Sequence, residues 1–585
     1  MGQETFIKGK DCALETSISL MQEKFEKHDI HIKEASWLNP VPYVHSVHIQ
    51  DAACNLMFTN GKGACEKSSL ASALGEYFER ISCNYFFADY YLGETLGQGE
   101  FVHYPNEKWF VGEEALKNGM LDDSLWAHYD PEEALEPEAL FDLNSGAGER
   151  GVCALPFQRQ SDKKEIYFPV NIIGNLYVSN GMAAGNTQDE ARVQALSEIF
   201  ERYVKNKIIS EEICLPQIPQ EVLARFPHIV ASLEKLEAYG YRLRVCDASL
   251  GGEYPVISVT LINPKNAAVF ASFGAHPSFE VALERTVTEL LQGRSIEQVD
   301  DFSIPSFSSA EVADPHNLVE HFINSTGLIS YRFFNTKPDF DFVDWEYGSD
   351  TQNECVTLSD KIEKMGFEIY IADYTHLDMY TCRILVPGMS EIYPITDLLW
   401  ENNNEGAYFR EYILSLDRLE EEGLASVLEN LEDASIVDEM KVAAFMGIAA
   451  DAGTGWASLQ VGTLKAMIAF ALQDLEKAHE YTLWTLHISD LNDEDKKIHH
   501  CLAALLEIAL DEEKNLLDYR DTLSLLYTEA LLEDALDIFD VKKTFYGLHF
   551  PGLSLEGFEK HLLLLETYAK LHTAKEKSWK TLTIA

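Results

Sequence analysis

Residues 54–80 read CNLMFTNGKGACEKSSLASALGEYFER, an apolar strand followed by glycines and then a helix of about four turns. Two later stretches repeat this order: residues 173–202 read IGNLYVSNGMAAGNTQDEARVQALSEIFER, and residues 267–294 read AAVFASFGAHPSFEVALERTVTELLQGR. The first two share AL-x-E-x-FER, a string that similar composition alone does not produce. Repetition of one supersecondary unit predicts three related strand–glycine turn–helix units in a single domain.

Each predicted helix carries polar side chains at positions i, i+4 and i+7, which lie on one face of an α-helix. The three stripes are Ser72, Glu76 and Glu79, then Gln194, Glu198 and Glu201, then Arg285, Glu289 and Gln292. Large apolar residues such as Leu74 and Phe78 occupy the other faces, so the helices are expected to be buried on most sides. The carboxylates should therefore line an internal cavity.

Glutamates gathered in an internal cavity repel one another unless they share protons or bind a cation. An all-oxygen set without His or Cys suits Mg²⁺ much better than zinc, and Mg²⁺ commonly completes its shell with phosphate oxygens. Arg285 and Lys67 beside these carboxylates indicate an anionic ligand that the metal bridges, so a magnesium nucleotide is the preferred ligand. A solvent-exposed amphipathic face is the ordinary interpretation of one such helix, but three matching stripes argue against it.

The sequence contains no P-loop of the form GxxxxGK[ST], although Gly61-Lys62-Gly63 is superficially similar. Glycines that lead into helix N-termini can present backbone amides to phosphates, but an ordinary tight turn is the more frequent explanation. The nucleotide prediction therefore depends on the glutamate stripes.

These motifs resemble the YcaO family, whose ATP site is built from glutamate-bearing helices instead of a P-loop. The family pattern SxxxExxER matches Ser72 to Arg80, the second element ExxER matches Glu198 to Arg202, and the third, RxxxExxQ, matches Arg285 to Gln292. The resemblance covers roughly residues 1–400, and the helical C-terminal extension is similar to that of stand-alone members.

The resemblance implies an enzyme that uses ATP and Mg²⁺ to phosphorylate a peptide backbone amide oxygen. It also implies a protein or peptide substrate, a methylthiotransferase partner and a role in methylthiolation of a ribosomal protein. Azoline-forming relatives end in a proline-rich tail, whereas this chain ends SWKTLTIA, so azoline formation is not expected. The alternatives are a non-catalytic Mg-ATP-binding adaptor, whose helical domain recruits a protein partner, and an acidic scaffold without a ligand.

Carried over to this chain, the resemblance assigns catalysis to Glu76, Glu79, Glu198 and Glu201. The implied Mg²⁺ ligands are Ser17, Glu76, Glu79, Glu198, Glu201 and Glu289. The implied nucleotide contacts are Lys10, Ser17, Lys67, Ser72, Arg192, Glu198, Arg202, Arg285, Glu289 and Gln292.

The two halves of the chain differ in their sequence patterns. Residues 1–404 alternate helical runs with β-rich runs such as Tyr43–Ile49, Glu165–Ile173 and Tyr254–Ile262. In residues 405–585 strand signals disappear, and Leu464–Ile488 predicts two antiparallel helices broken near Asp474, as in a tetratricopeptide unit. We therefore expect a mixed α+β core, followed by an all-α tetratricopeptide-like domain that contacts proteins and forms a homodimer.

Composition excludes several classes of protein. The 585 residues are 46% hydrophobic and include 96 acidic against 46 basic residues, for a formal net charge of -50. Such a charge repels phosphate backbones, so direct binding of nucleic acid is not expected. The ten cysteines form no CxxC pair, the start MGQETFIKGKDC lacks a signal-peptide core, and no run approaches the roughly 18 apolar residues of a membrane span. We expect a folded cytoplasmic protein with free thiols and no membrane contact.

Overall fold

The computed structural model describes residues 4–112, 119–295, 302–400, 405–434, 436–488 and 491–584. The strands are β1 (Ile32–Val41), β2 (Val44–Asp51), β3 (Phe58–Gly63), β4 (Lys108–Phe110), β5 (Val152–Arg159), β6 (Glu165–Pro169), β7 (Met182–Gly185), β8 (Arg242–Asp247), β9 (Val256–Ile262), β10 (Val269–Ala275), β11 (Tyr370–Tyr374) and β12 (Tyr380–Leu385). The helices of seven or more residues are α1 (Leu14–Lys27), α2 (Glu66–Ser82), α3 (Asp123–Tyr129), α4 (Gln188–Ser210), α5 (Pro227–Ala238), α6 (Phe279–Glu289), α7 (Pro315–Ile323), α8 (Thr351–Lys364), α9 (Glu405–Ile413), α10 (Glu421–Asp433), α11 (Val461–Ala471), α12 (Leu475–Ile488), α13 (Asp493–Ala509), α14 (Leu516–Tyr527), α15 (Glu529–Phe539) and α16 (Glu559–Ile584).

The strands form three antiparallel sheets, and each sheet supplies the strand of one repeat. The first has the order β1-β2-β3, the second β10-β9-β8, and the third β4-β5-β11-β12-β7 with β6 paired to β5. Strands β3, β7 and β10 each lead into a repeat helix, which is α2, α4 or α6. The predicted mixed α+β core with three strand–helix repeats is confirmed.

In each repeat the helix lies directly on its own strand, and a glycine allows this close approach. A Cβ atom on Gly61 would lie 2.0 Å from the carbonyl oxygen of Ser69, and Cβ atoms on Gly185 and Gly274 would lie 2.6 and 2.5 Å from atoms of their own helices. No side chain fits at such distances. The prediction that these glycines form turns was wrong, since they lie within β3, β7 and β10 and let the strand touch the helix.

The third repeat helix is shorter than the other two. It has 11 residues, against 17 in α2 and 23 in α4. Because α6 ends at Glu289, Gln292 lies in the following turn and not on the helix face that its spacing predicted. Gly293 follows with φ 67°, a left-handed conformation that is typical of a residue just after a helix.

The described residues after 405 contain helices and no strand, which confirms the all-helical prediction. The expected helix pair is α11 and α12, and the break falls at Asp474 as predicted. Large buried side chains from this part share one core, among them Trp456, Leu464 and Leu502. No helix of the described chain is long and apolar enough to span a membrane. The tetratricopeptide likeness stays a prediction, as does the boundary at 404/405, because residues 401–404 lie outside the described ranges.

Helix α16 extends away from the other C-terminal helices and packs against the first half of the chain. Its Leu564 and Tyr568 are buried in the same apolar cluster as the inward face of α2. The Tyr568 hydroxyl donates to the carbonyl oxygen of Val102 at 2.8 Å, and the imidazole of His561 contacts the carbonyl oxygen of Tyr91 at 2.8 Å. The last helix is therefore part of the core that supports the first repeat.

Candidate functional site

The polar faces of the three repeat helices meet at one place. Lys62 of β3 forms an ion pair with Glu289 of α6, which joins the first unit to the third. Arg285 of α6 donates to Gln194 Oε1 of α4 at 2.6 Å, which joins the third unit to the second. The stripes of polar residues therefore surround a common centre, as the repeated spacing predicted.

Glu79 is the deeply buried carboxylate of the first stripe, with 8% of its surface exposed. Burial raises the pKa of Glu79 well above its ordinary value; the charge of Arg80 opposes this rise, and the carboxylates of Glu198 and Glu76 add to it. Arg80 lies 3.5 Å from Glu79 and 3.2 Å from Glu76. A carboxyl with a raised pKa gains from an additional cation, because the protein alone does not balance its charge.

The second stripe has a similar electrostatic environment. Burial raises the pKa of Glu201, and the charges of Lys62 and Arg202 act against that rise. Arg202 is paired with Glu198 and also donates to Asn180 Oδ1 at 2.9 Å. Two neighbouring helices thus each place one glutamate with a raised pKa and one arginine-paired glutamate on the same centre.

Half-buried cations lie among these carboxylates. Burial lowers the pKa of Lys62 and of Arg285, and in both cases the nearby charge of Glu201 opposes this effect. Burial also lowers the pKa of Lys205 to about 8, and its Nζ donates to the carbonyl oxygen of His321 at 2.6 Å. A site that holds partly desolvated charges of both signs suits a ligand with an anionic group and a bound cation, which Mg-ATP provides.

Sequence analysis did not identify Lys62 or Lys205 as site residues. In the sequence, Lys62 is only the middle residue of Gly61-Lys62-Gly63, which does not indicate a site. It reaches the site because strand β3 lies on helix α2. Lys205 follows Glu201 by four residues on α4, so the i, i+4 rule that defined the stripes also points to it.

Two predicted nucleotide contacts, Lys10 and Ser17, lie beside the N-terminal end of α4. Lys10 Nζ lies 3.2 Å from the buried Glu190, and the Ser17 hydroxyl donates to Asn186 Oδ1 at 2.9 Å. The N-terminal end of a helix carries partial positive charge and free N–H groups, so this place suits a phosphate. Neither residue was predictable from spacing, and both came from the resemblance alone.

The first repeat helix carries two further predicted contacts. Lys67 lies in the first turn of α2, where its Nζ is 2.5 Å from Glu15 Oε1. Ser72 is half-buried on the stripe, one turn before Glu76. Gln292 lies just after the helix of the third repeat and donates to the carbonyl oxygen of Asn60. It therefore borders the site from the turn that follows α6.

Arg192 is not brought to the common centre. Its guanidinium donates to the Tyr380 hydroxyl at 3.1 Å and to Asp373 at 3.0 Å, on the side of strands β11 and β12. Position 192 is about 200° around α4 from Gln194, so the two side chains point in nearly opposite directions. The assignment of Arg192 as a phosphate contact therefore has no support from the geometry.

Two family models match the chain. The model described as a YcaO cyclodehydratase, ATP- and Mg²⁺-binding, matches residues 60–390, which include all three repeat helices. The chain belongs to the YcaO family. The YcaO cyclodehydratase C-terminal domain matches residues 406–577, the helical part. ATP and Mg²⁺ are therefore the cofactors of the domain that carries the site.

Similar proteins extend over both halves of the chain. The Escherichia coli (strain K12) protein named Ribosomal protein S12 methylthiotransferase accessory factor YcaO is 51% identical over 582 residues, covering 98% of this chain and 99% of that protein. An uncharacterized protein of Haemophilus influenzae (strain ATCC 51907 / DSM 11121 / KW20 / Rd) is 49% identical over 587 residues, covering 99% and 100%. The solved structure of YcaO from Methanopyrus kandleri bound with AMPPCP and Mg²⁺ has a TM-score of 0.42 at 16% identity, covering 66% of this chain and 95% of that one.

The donor set fits the Mg²⁺ of a YcaO domain. Its side chains offer carboxylate, amide and hydroxyl oxygens, which Mg²⁺ prefers. Among the described residues, no three His, Cys, Asp or Glu side chains form a metal cluster by themselves. Mg²⁺ usually takes one or two protein carboxylates and completes its shell with phosphate oxygens and water, so a complete protein cage is not needed. Glu79 and Glu201 would gain most from the ion, since both pKa values are raised.

Proposed function

We propose that this chain uses Mg-ATP to phosphorylate a backbone amide oxygen of a protein substrate, as a step in methylthiolation of a ribosomal protein. The observation that carries the proposal is the meeting of buried Glu79 and half-buried Glu201 with half-buried Lys62 and Arg285 among the three repeat units. Phosphoryl transfer depends chiefly on positioning and on charge stabilisation, which such a site can supply. The name of the 51% identical Escherichia coli relative supports the class of substrate.

The proposed reaction balances without a further co-reactant beyond a nucleophile on the substrate. That nucleophile adds to the amide carbon, and the amide oxygen, now carrying the negative charge, attacks the γ-phosphorus while ADP leaves. The nucleophile loses its proton as it adds. Inorganic phosphate then departs with the former amide oxygen, while the amide nitrogen loses its proton and forms a C=N bond. Lys62 and Arg285 would hold phosphate oxygens, and Glu79 and Glu201 would hold Mg²⁺, which neutralises charge on the transferring group.

An isotope experiment tests this assignment. A synthetic segment of ribosomal protein S12 with ¹⁸O in its backbone amides is incubated with the chain, Mg-ATP and the methylthiotransferase. We expect ¹⁸O to appear in the released phosphate, and we expect Glu79→Gln to abolish the transfer. Release of unlabelled phosphate alone would show hydrolysis by water and would contradict amide activation.

The second candidate function is a non-catalytic Mg-ATP-binding adaptor whose helical domain recruits a protein partner. The exposed leucines of α14 favour it, because Leu517, Leu525 and Leu526 are 80%, 85% and 68% exposed. Binding of Mg-ATP with no phosphate release above the uncatalysed rate, in the presence of substrate and partner, would select the adaptor. Labelled phosphate would select the enzyme.

Under the same proposal, the helical residues 405–585 form a tetratricopeptide-like domain that makes a homodimer and docks the methylthiotransferase. The net charge of -50 does not prevent self-association if the contact is apolar and the charges stay at its rim. Light scattering should give twice the chain mass for the wild type and the chain mass for Leu525→Glu. A monomeric wild type would exclude the homodimer, and docking of another protein would remain.

A further inference from the structure

Strands β5 and β11 are neighbours in the third sheet, but they pair along only part of their length. Among the described residues, the pairs are Tyr370 with Arg159 and Ile371 with Gln158. Both strands continue past this point, and their outer edges stay paired with β12 and β6. The inner edges of the two strands therefore diverge.

The position of Pro156 explains where the pairing stops. The N–H of Gln160 donates to the carbonyl oxygen of Ile369 at 2.8 Å, so every second residue from Ile369 onward turns its backbone N–H and C=O toward β5. The next two such residues are Ile371 and Asp373, and a continued register would place Asp373 opposite Pro156. Proline has no N–H and cannot complete that pair. The backbone N–H and C=O of Asp373 are therefore turned toward the gap between the strands.

A groove of about 280 Å³ occupies this gap. The diverging stretches of both strands, residues 155–158 and 371–374, line two of its sides. Thr375 and Trp579 also line it, and both are exposed. Asp373 is exposed as well, so the open edge of β11 can be reached from solvent.

The charges around the groove favour a neutral ligand. Arg192 lies 3.0 Å from the Asp373 carboxylate, so the two charges beside the open edge balance each other. Elsewhere in the lining, Glu165 is acidic and the buried Lys575 is basic. A small ion of either sign therefore gains little net attraction. A peptide group is neutral and can both donate to and accept from the backbone of Asp373.

The occupant that matches these groups is a short, extended stretch of polypeptide. A strand that adds to an open sheet edge forms main-chain hydrogen bonds of this kind. The groove volume of about 280 Å³ is at the lower limit of ligand pockets, which hold roughly 300–1,000 Å³, so a few residues fit and a folded domain does not.

The groove lies within reach of the candidate functional site along α4. Arg192 lines the groove, and Glu201 follows it on the same helix after nine residues, which is about 14 Å along the axis. Arg192 also points away from the stripe that contains Gln194, which adds roughly 10 Å across the helix. An extended chain advances about 3.3 Å per residue, so a segment of about six residues is long enough to span both places.

We propose that this groove binds an extended segment of the protein substrate, which adds to β11 as a short strand through the backbone N–H and C=O of Asp373. The ion pair with Arg192 then positions this edge for the peptide. Calling the segment part of the substrate rests on the proposed amide-activating function. Addition of a peptide strand to β11 does not depend on that function, so the two can fail separately.

Crystals of the full chain soaked with N-acetyl-trialanine amide test the binding directly. This peptide is neutral and offers backbone groups with only methyl side chains. We expect it in the groove, with one of its residues exchanging two hydrogen bonds with Asp373. The matched control is the depsipeptide of the same length, in which esters replace the internal amides and remove their N–H groups, and we expect it to be absent at the same concentration. A groove without the alanine peptide, or one that holds both probes equally, would overturn the proposal.

Thr375 offers a matched pair of variants for solution work. It is exposed and lines the groove, so Thr375→Trp obstructs the groove while Thr375→Ser leaves it open. We expect Thr375→Trp to raise KM for the S12 segment at least about tenfold, the loss expected for two main-chain hydrogen bonds, with KM for ATP unchanged. Thr375→Ser should change both less than about twofold.

The outcomes separate the two proposals. An unchanged KM for the segment in a folded Thr375→Trp chain would overturn the groove assignment even if phosphate carries the label. Bound alanine peptide with no labelled phosphate would leave strand addition standing and overturn the proposed function. The soak uses the wild-type chain, so the test remains decisive if Thr375→Trp does not fold.

Discussion

The repeat core and the last helix both bury charged side chains, but they balance the charges differently. In the repeat core, buried Glu79 and half-buried Glu201 lie near other carboxylates, and loss of hydration raises both pKa values. In α16, Lys575 is 2% exposed, is hydrogen-bonded to Asn84 and lies 4.5 Å from the ring centre of Tyr104. The core charges gain from a ligand, whereas Lys575 has its partners within the fold. Loss of core charges should therefore affect function first, and loss of α16 contacts should affect stability first.

Deletion of residues 559–585 should have the largest effect, because α16 is part of the core of the first half. Its Leu564, Tyr568 and Leu571 are buried in the same apolar cluster as side chains of α2. Loss of one large buried side chain costs about 2–5 kcal/mol, and a whole domain is stable by about 5–15 kcal/mol. We expect the shortened chain to lose cooperative thermal unfolding and Mg-ATP binding.

Deletion of residues 580–585 alone is the control for that experiment, since it removes only the end of α16. We expect this chain to unfold like the wild type. A chain without residues 559–585 that folds and binds Mg-ATP normally would show that the last helix is not needed by the core.

Glu79→Gln and Glu201→Gln should each lower phosphate release about 100-fold or more, because a ligand of the metal loses its charge. Thermal stability should be unchanged or slightly raised, since each variant removes a partly desolvated charge that neighbouring carboxylates repel. Glu289→Gln is the comparison, because Glu289 is 34% exposed and paired with Lys62, and its effect should be smaller than about tenfold. Equal turnover in all three variants would show that the glutamate stripes are ordinary solvent-exposed helix faces and do not bind the metal.

Lys575→Met should alter the pH dependence of stability. Burial lowers the pKa of Lys575 to about 7 from 10.5, so between these values the unfolded chain binds more protons than the folded chain. The contribution of Lys575 to the free energy of unfolding therefore rises with pH, by up to about 1.4 kcal/mol per unit. Below pH 7 the folded state carries the cost of a buried charge. Methionine does not titrate, so the variant should gain most over the wild type below pH 7.

Thermal unfolding of both chains from pH 6 to pH 9 checks this difference. Phosphate release should change less than in the glutamate variants, because Lys575 is hydrogen-bonded within the fold. Parallel stability curves would show that Lys575 keeps its charge when buried and would remove the contrast between the two regions.

The features that sequence could predict are those encoded locally. Helical spacing placed Glu76, Glu79, Glu198 and Glu201 on converging faces, and the repeated strand–helix order predicted the mixed core. Gln292 was predicted as a site residue, but its place in the turn after α6 was not, because spacing does not reveal that the helix ends at Glu289.

Long-range contacts could not be predicted from spacing. Lys62 meets Glu289 only because β3 and α6 come together in the fold, and the Tyr568 hydroxyl reaches Val102 across 466 positions of chain. Such contacts depend on the tertiary packing of helices and strands. The helical periodicity of α16 was visible in the sequence, but its partner was not.

The central claim is that a metal ion joins the nucleotide to the carboxylates of the repeat helices. Calorimetric titration of the full chain with ATP, first in EDTA and then in excess Mg²⁺, measures this most directly. Without the ion, Glu79 and Glu201 repel the phosphates at close range, so we expect ATP to bind at least about 100-fold more weakly in EDTA. The double variant Glu79→Gln, Glu201→Gln should lose most of that difference. Equal affinities for ATP in EDTA and in Mg²⁺ would contradict the account.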